Sequence, residues 1–166
     1  TDENGLGIAV NDNDAKTADF LLSCGFTPCE QTENVFELSL EGFDFEKRAN
    51  AALKFSSLEP KADLLRHHKM LWKGFGHEGE APVDEDTLEK QRYMLSAPNL
   101  NPRLHIAIEN EDSEFIAYCG LWYDKATDYV YVEPVCTAPE HRGKGLAGAL
   151  LNEALRRAYE MGAKTA

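Results

Sequence analysis

No stretch of this chain approaches the roughly 20 consecutive apolar residues that a helix needs to cross a bilayer, so no membrane partner is expected. Cations are scarce: 17 Lys and Arg stand against 29 Asp and Glu, a formal net charge of -12. So acidic a chain is poorly suited to track phosphate backbones or anionic lipid, and nucleic acid is not an expected partner. A cationic amine or basic peptide suits it better. Cysteine is sparse too. Cys24, Cys29, Cys119 and Cys136 form no C-x-x-C pair and match no zinc spacing, so no metal site is expected. Three of them sit in apolar surroundings and read as buried, reduced thiols. No secretory pattern covers the opening Thr1-Asp2-Glu3-Asn4, and the expected compartment is the cytoplasm. What remains is ordinary globular composition, 43% hydrophobic and 28% charged over 166 residues. That length accommodates one domain with a proper core, or one domain and an appendage.

The most informative stretch runs from Glu133 to Leu155. It follows a β-branched and aromatic run, Tyr129-Val130-Tyr131-Val132, that reads as a strand. It ends in a helical pattern with Leu146, Leu150, Leu151, Ala154 and Leu155 spaced three and four apart. Between them lies the turn Arg142-Gly143-Lys144-Gly145. A strand that breaks into a glycine turn and restarts as a helix aims several backbone N–H groups, and the positive end of the helix dipole, into one concavity. Such a place binds anions, phosphate above all.

Around that stretch, residues 1–42 read as a β-α-β piece. Leu6–Val10 reads as a short strand, about Ala15 to Ser23 as a helix stopped by Gly25, and Phe26–Leu40 as one or two strands. Gly42–Asn50 is polar and reads as a connector. Leu53–Leu58 is an expected strand, and Pro60 is expected to open a helix with the stripe Leu64, Leu65, His68, Leu71 and Trp72, ended by Gly74 or Gly76. Asp84 or Asp86 can cap a second helix reaching about Leu95. Three strands follow, Leu104–Glu109, Phe115–Tyr123 and Tyr129–Val135, joined by polar turns short enough to favour antiparallel pairing. Gly162–Ala166 then looks like a strand beginning and cut off.

Gly143 to Gly148 matches G-x-G-x-x-G, the dinucleotide fingerprint, but that pattern belongs to parallel βαβ units and this turn follows an antiparallel meander. A Walker loop fails because Gly145, not Ser or Thr, follows Lys144. Val135 to Ala147 instead resembles the signature of the GCN5-related N-acetyltransferase (GNAT) superfamily. Its Arg/Gln-x-x-Gly-x-Gly/Ala pattern is met by Arg142, Gly145 and Ala147, while Thr137 stands where the preceding strand end usually has valine. The order of elements over residues 53–166 is similar as well. The resemblance implies an α/β fold of the α+β type, a mixed and mostly antiparallel sheet flanked by helices, and acetyl-CoA as co-substrate.

It further implies that backbone N–H groups of about 142 to 147, across Arg142, Gly143, Lys144, Gly145, Leu146 and Ala147, hold the pyrophosphate. Main-chain groups of Val135 and Thr137, either side of Cys136, would pair with the pantetheine arm as an added strand. Pro134, unable to donate to a ladder, is expected at a bulge or a free edge, and the resemblance implies a bulge there that opens the cleft. Glu133 is the candidate base for an N-acetyltransferase moving acetyl to a primary amine by direct transfer; it can also be an ordinary strand carboxylate. The acceptor, small molecule or peptide, stays open. His77 could line its cleft or be a solvated loop histidine. His67 and His68 face different sides of their helix and cannot share a metal, and Trp122 and Tyr123 read as sheet packing. The family's thiolate-protonating tyrosine normally lies beyond the place of residue 166. Residues 1–42 resemble that last part of a GNAT domain, but Leu21 stands where the tyrosine belongs and Asp14 where an asparagine does. The chain thus reads as a tandem fragment, with 43–52 a connector and 53–166 a core ending before the last strands. Alternatively it is one permuted or exchanged unit, with homodimer or tandem pairing both open. The missing phenol leaves a non-catalytic acyl-CoA-binding or regulatory module as the rival reading.

Overall fold

The structure, a computed structural model, describes residues 7–30, 32, 34–48, 50 and 52–166. The chain divides between Phe36 and Glu37 into two compact units.

In the first unit, α1 spans Ala15–Ser23. The Asp14 carboxylate caps it by accepting from the Thr17 N–H at 3.1 Å, satisfying one of the orphan donors of the first turn. At the other end Gly25 adopts φ +91°, so that the Phe26 N–H reaches back to the Leu21 carbonyl at 3.1 Å. The expected strand at Leu6–Val10 does not form over residues 7–10, and Leu6 lies outside the described residues. The described part of Phe26–Leu40 is likewise irregular, save a single bridge at Ser39. A strand persists only where a neighbour takes up its N–H and C=O groups. Apart from that bridge and the backbone bonds of Leu38 and Leu40 beside it, no described residue of these segments is paired with a strand.

The second unit is built on a four-stranded antiparallel sheet in the order β1 (Phe55–Ser57), β2 (His105–Glu109), β3 (Phe115–Tyr123), β4 (Val130–Thr137). Period-2 alternation divides the side chains between two cores. Ile106, Ile108, Cys119, Leu121 and Val130 pack against Leu150, Ala154 and Leu155 of α4 (Leu146–Glu160). Ala107, Phe115, Tyr118 and Cys136 pack on the opposite face with Met70 of α2 (Leu64–Gly74) and Leu95, which closes α3 (Glu85–Met94). Covered on both faces, β2 and β3 read as nearly continuous apolar runs.

Three expectations need correction here. Pro60 does not open α2. It lies in a turn that precedes the helix, where the Glu59 N–H donates to the Asp63 carboxylate at 2.8 Å. The buried face of α2 is His67, His68, Met70 and Gly74, whereas Leu65 is exposed. Of the three cysteines expected inside, only Cys119 and Cys136 are buried; Cys24 and Cys29 are exposed.

Beside β4, Thr165 bridges Tyr129 in parallel and Ser39 in antiparallel fashion. The Val130 N–H donates to the Thr165 carbonyl at 2.9 Å, and the Leu40 N–H donates to Lys164 at 2.7 Å. The place next to Tyr129 is therefore taken by the segment around Thr165, with residues 38–40 flanking it. Leu40 is wholly buried in the α4-side core. The polar connector packs as well: Phe45 lies against that core, and the Asn152 amide donates to its carbonyl at 3.0 Å.

Candidate functional site

The register between β3 and β4 slips at one place. Cys119 pairs with Val135 and Leu121 with Val132, so that Gly120 alone faces both Glu133 and Pro134. This is a β-bulge at the proline, which has no N–H to give the ladder. Gly120 is required opposite it. A Cβ there would stand 2.9 Å from the Glu133 carbonyl oxygen and 2.9 Å from His105 Nδ1. The Trp122 indole N–H donates to the same Glu133 carbonyl at 2.9 Å and holds it across the sheet. Past the bulge, the Ala138 N–H donates to Ile116 at 3.0 Å. Antiparallel alternation then turns the Cys136 main chain toward β3 and that of Val135 and Thr137 to the outer edge.

The chain next makes a 3-10 turn over Pro139–His141, and the Arg142 N–H closes it on Pro139 at 3.2 Å. Gly143 at φ +73° and Gly145 at φ +76° occupy the left-handed region, which side chains disfavour, and α4 starts at Leu146. Among the described residues no side chain caps α4, and nothing accepts from the N–H groups of residues 143–148. All of these residues but Lys144 line a cavity of about 440 Å³ whose walls include Val135, Cys136, Thr137, Arg142, Gly143, Gly145, Leu146 and Ala147. Of the nine residues expected at the cofactor, only Lys144 is not in its wall; it is exposed.

Arg142 departs from expectation in its role. Its backbone N–H is already used, and its guanidinium donates to the Thr137 carbonyl at 3.1 Å and the Gly74 carbonyl at 3.0 Å. Gly74 is the last residue of α2, so a cation sits at a helix C-terminus, where the dipole favours it. The arginine ties the turn to α2 and the strand end. Three wall residues were missed by sequence reasoning: Gly74, His141 and Gly148. Gly148 was legible as the last glycine of the literal G-x-G-x-x-G match. Gly74 read only as a helix stop, although a Cβ there would lie 2.6 Å from Cys136 Sγ.

The Glu133 side chain is exposed beside the bulge and is not in the cavity wall. His77 is also exposed, stacked on Trp72 with ring centres 4.4 Å apart. His67 and His68 are both buried but diverge: the His68 Nε2–H donates to the Pro82 carbonyl at 2.8 Å, while His67 meets the Tyr118 ring edge-on at 4.6 Å. No group of side chains among the described residues is arranged to hold a metal. Burial pushes the Cys136 and Cys119 thiols up to about 12, so both are protonated at neutral pH.

A family model described as the acetyltransferase (GNAT) family matches residues 64–166, more than half of the chain. The chain belongs to the GNAT acetyltransferase family. Comparison with curated proteins finds no match. Among solved structures, a GCN5-related N-acetyltransferase from Sphaerobacter thermophilus aligns with a TM-score of 0.57 at 18% identity, over 70% of this chain and 35% of that one. The glucosamine N-acetyltransferase region of a fungal multi-domain β-N-acetylglucosaminidase aligns at 0.50 and 18%, over 69% and 13%. A GNAT family N-acetyltransferase from Escherichia coli, solved in complex with CoA, gives 0.49 and 21%, over 66% and 58%. The chain thus spans about a third of the Sphaerobacter protein and a smaller part of the fungal one, and the likeness is one of fold. Within this GNAT domain, no described helix is long and apolar enough to cross a membrane.

Proposed function

We propose that this GNAT domain binds acetyl-CoA in the cleft between β4 and the start of α4 and transfers the acetyl group directly to a primary amine. The observation that carries the reading is the row of unpartnered N–H groups at residues 143–148, all but Lys144 in the wall of the 440 Å³ cavity. A helix start without a cap, preceded by two left-handed glycines, suits a diphosphate. Val135 and Thr137 turn main-chain groups to an outer edge that can take an extended amide chain as an added strand. When bound, acetyl-CoA supplies an activated acetyl thioester.

Glu133 is the residue we assign as base, taking a proton from the acceptor amine directly or through one water. The buried thiols support direct transfer over a covalent relay: a nucleophilic cysteine acts as thiolate, and neither Cys119 nor Cys136 is one at neutral pH. The net charge of -12 suits a cationic amine, on a small molecule or a peptide. The four free cysteines are in keeping with a reducing cytoplasm.

Calorimetric titration with acetyl-CoA is the direct test. Saturable binding is expected, and none at about 1 mM, the upper end of ordinary enzyme affinities, overturns the reading. A Cβ at Gly145 meets nothing within 4 Å, so Gly145→Val places its side chain in the open cradle, at a φ that costs about 1–3 kcal/mol. Binding is expected to be lost while the fold persists by circular dichroism. Glu133→Gln should bind the cofactor normally and release CoA thiol to amines roughly a hundredfold more slowly. Binding without thiol release across a broad amine panel would mark a non-catalytic acyl-CoA module instead.

A further inference from the structure

A second, smaller cavity of about 40 Å³ lies on the face of the sheet opposite α4. Its walls include Leu71 of α2, Leu95 and Leu100 after α3, Trp122 of β3 and Pro134 of β4. Leu71, Leu100, Trp122 and Pro134 are half-buried, and Met94, the last residue of α3, is 40% exposed beside them. The cavity is thus open to solvent on that side. No Asp, Glu, Lys or Arg among the described residues is in its wall.

The polar groups nearest to it are turned away. The Trp122 indole N–H is spent on the Glu133 carbonyl at 2.9 Å, and the Tyr118 hydroxyl pairs with His105 Nδ1 at 2.7 Å. His105 Nε2 and His67 Nδ1 are buried in the packing and shut off from the cavity. Carbon is therefore nearly all that an occupant would touch. A water needs about two to four polar partners, and apolar cavities stay dry for want of them. An ion would lose its hydration and gain no opposite charge. A single water needs about 10–15 Å³ of such space, so about one to three carbon atoms fit here.

Pro134 joins this pocket to the proposed transfer site. Glu133, assigned above as base, precedes it, and Val135 after it is in the wall of the large cavity. The two cavities share no wall residue, so a coenzyme lying along Val135 and Thr137 leaves the small one free. The geometry points to the small cavity as a pocket for the acceptor: it takes a short alkyl group, from a methyl to a propyl, carried by the amine whose nitrogen meets Glu133. This rests on the acetyl-transfer reading above.

Two measurements test it. In the first, the Leu and Met methyl groups of the labelled chain are followed by NMR under rising pressures of xenon, an apolar probe of dry cavities. Signals of Leu71, Met94, Leu95 and Leu100 are expected to shift saturably. No shift there, or the same shift in Leu71→Phe, overturns the pocket.

In the second, acetyl transfer is compared for straight-chain amines from ethylamine to hexylamine and for analogues of equal length ending in hydroxyl or ammonium. kcat/KM should rise by roughly fourfold for each methylene buried, then peak once the pocket is full. At the peak the alkyl compound should exceed both polar analogues by roughly tenfold or more. In Leu71→Phe, which fills the space, that ratio should fall to about one with acetyl-CoA affinity unchanged. In Met94→Ala, which widens the pocket, the peak should move to a longer amine; this variant decides the matter if Leu71→Phe fails to fold. A polar analogue equal to or ahead of the alkyl compound at every length overturns the proposal. So does a preference for propionyl- or butyryl-CoA over acetyl-CoA that Leu71→Phe abolishes, since the occupant is then the acyl tail. If no amine is acetylated at all, the transfer reading falls and the acceptor role with it. The xenon titration still decides whether the cavity takes an apolar group.

Discussion

Gly74 is the single residue on which three parts of the site meet: its carbonyl takes the Arg142 guanidinium, its Cα faces Cys136, and it ends α2. An added Cβ would lie 2.6 Å from Cys136 Sγ and 2.7 Å from Cys136 Cβ. Gly74→Ala is expected to destabilise the fold by about 1–3 kcal/mol, the usual penalty of overpacking. A urea midpoint matching the parent protein would contradict this. Legibility differed sharply between glycines. Gly143 and Gly145 announced themselves because a turn between strand and helix needs left-handed backbone, a local requirement. The demand on Gly74 comes from a thiol far along the chain, and local pattern carries no trace of it. Arg142 shows the same limit. Its position was readable from the motif, but its attachment to two carbonyls was not.

At the scale of elements, β4 and its bulge decide whether a cleft exists. Pro134 signalled the break because proline has no N–H, whereas the parts that face it come from β3: Gly120 opposite the bulge and Trp122 bonded to the Glu133 carbonyl. Trp122→Phe keeps the bulk and removes the donor to the Glu133 carbonyl. The lost hydrogen bond corresponds to about 1 kcal/mol, or about fivefold weaker acetyl-CoA binding if the bulge shapes the cleft. A fall in thermal stability with unchanged cofactor affinity would show that the bond serves the sheet alone. The strands of the meander were legible almost residue for residue, since alternation and short polar turns are properties of neighbours in sequence. Residues 7–10 and the described part of 26–36 had comparable local composition and form no strand, because pairing requires a partner and none of these described residues is in a ladder.

For the second unit as a whole, stability is tied to acid through buried groups. Histidine in an unfolded chain takes up its proton near 6.5, whereas His67 and His105 resist until about 4. Burial is the main cause for both, joined at His67 by the neighbouring His105 and His68. Stability is therefore complete above about 6.5 and declines as pH falls toward 4, by on the order of 3 kcal/mol per histidine. A later loss follows from Glu109. The Lys54 ammonium, then the Arg66 guanidinium, hold its carboxyl down to about 2 against the opposing effect of burial. Its contribution is present above the ordinary carboxylate range near 4.5 and disappears as pH falls toward 2. Thermal midpoints measured from pH 7 to pH 2 should descend in these two windows, and a flat profile between 7 and 4 would refute the histidine part. Leu40 tests the closure of the sheet: fully buried beside residues 163–166, it should cost about 2–5 kcal/mol as Leu40→Ala, read by the same thermal method.

The sequence by itself determined the meander, the glycine turn, the uncapped helix start and the family, since each follows from spacing within a short window. Tertiary structure decided the rest. It assigned Arg142 to bracing, left exposed one of the three cysteines expected inside, and drew Leu40 into the core with Phe45 against it. It also brought His67 and His105 against Tyr118. Those outcomes depend on which distant side chains meet once the sheet has twisted and the helices have covered it, and no local periodicity encodes such meetings.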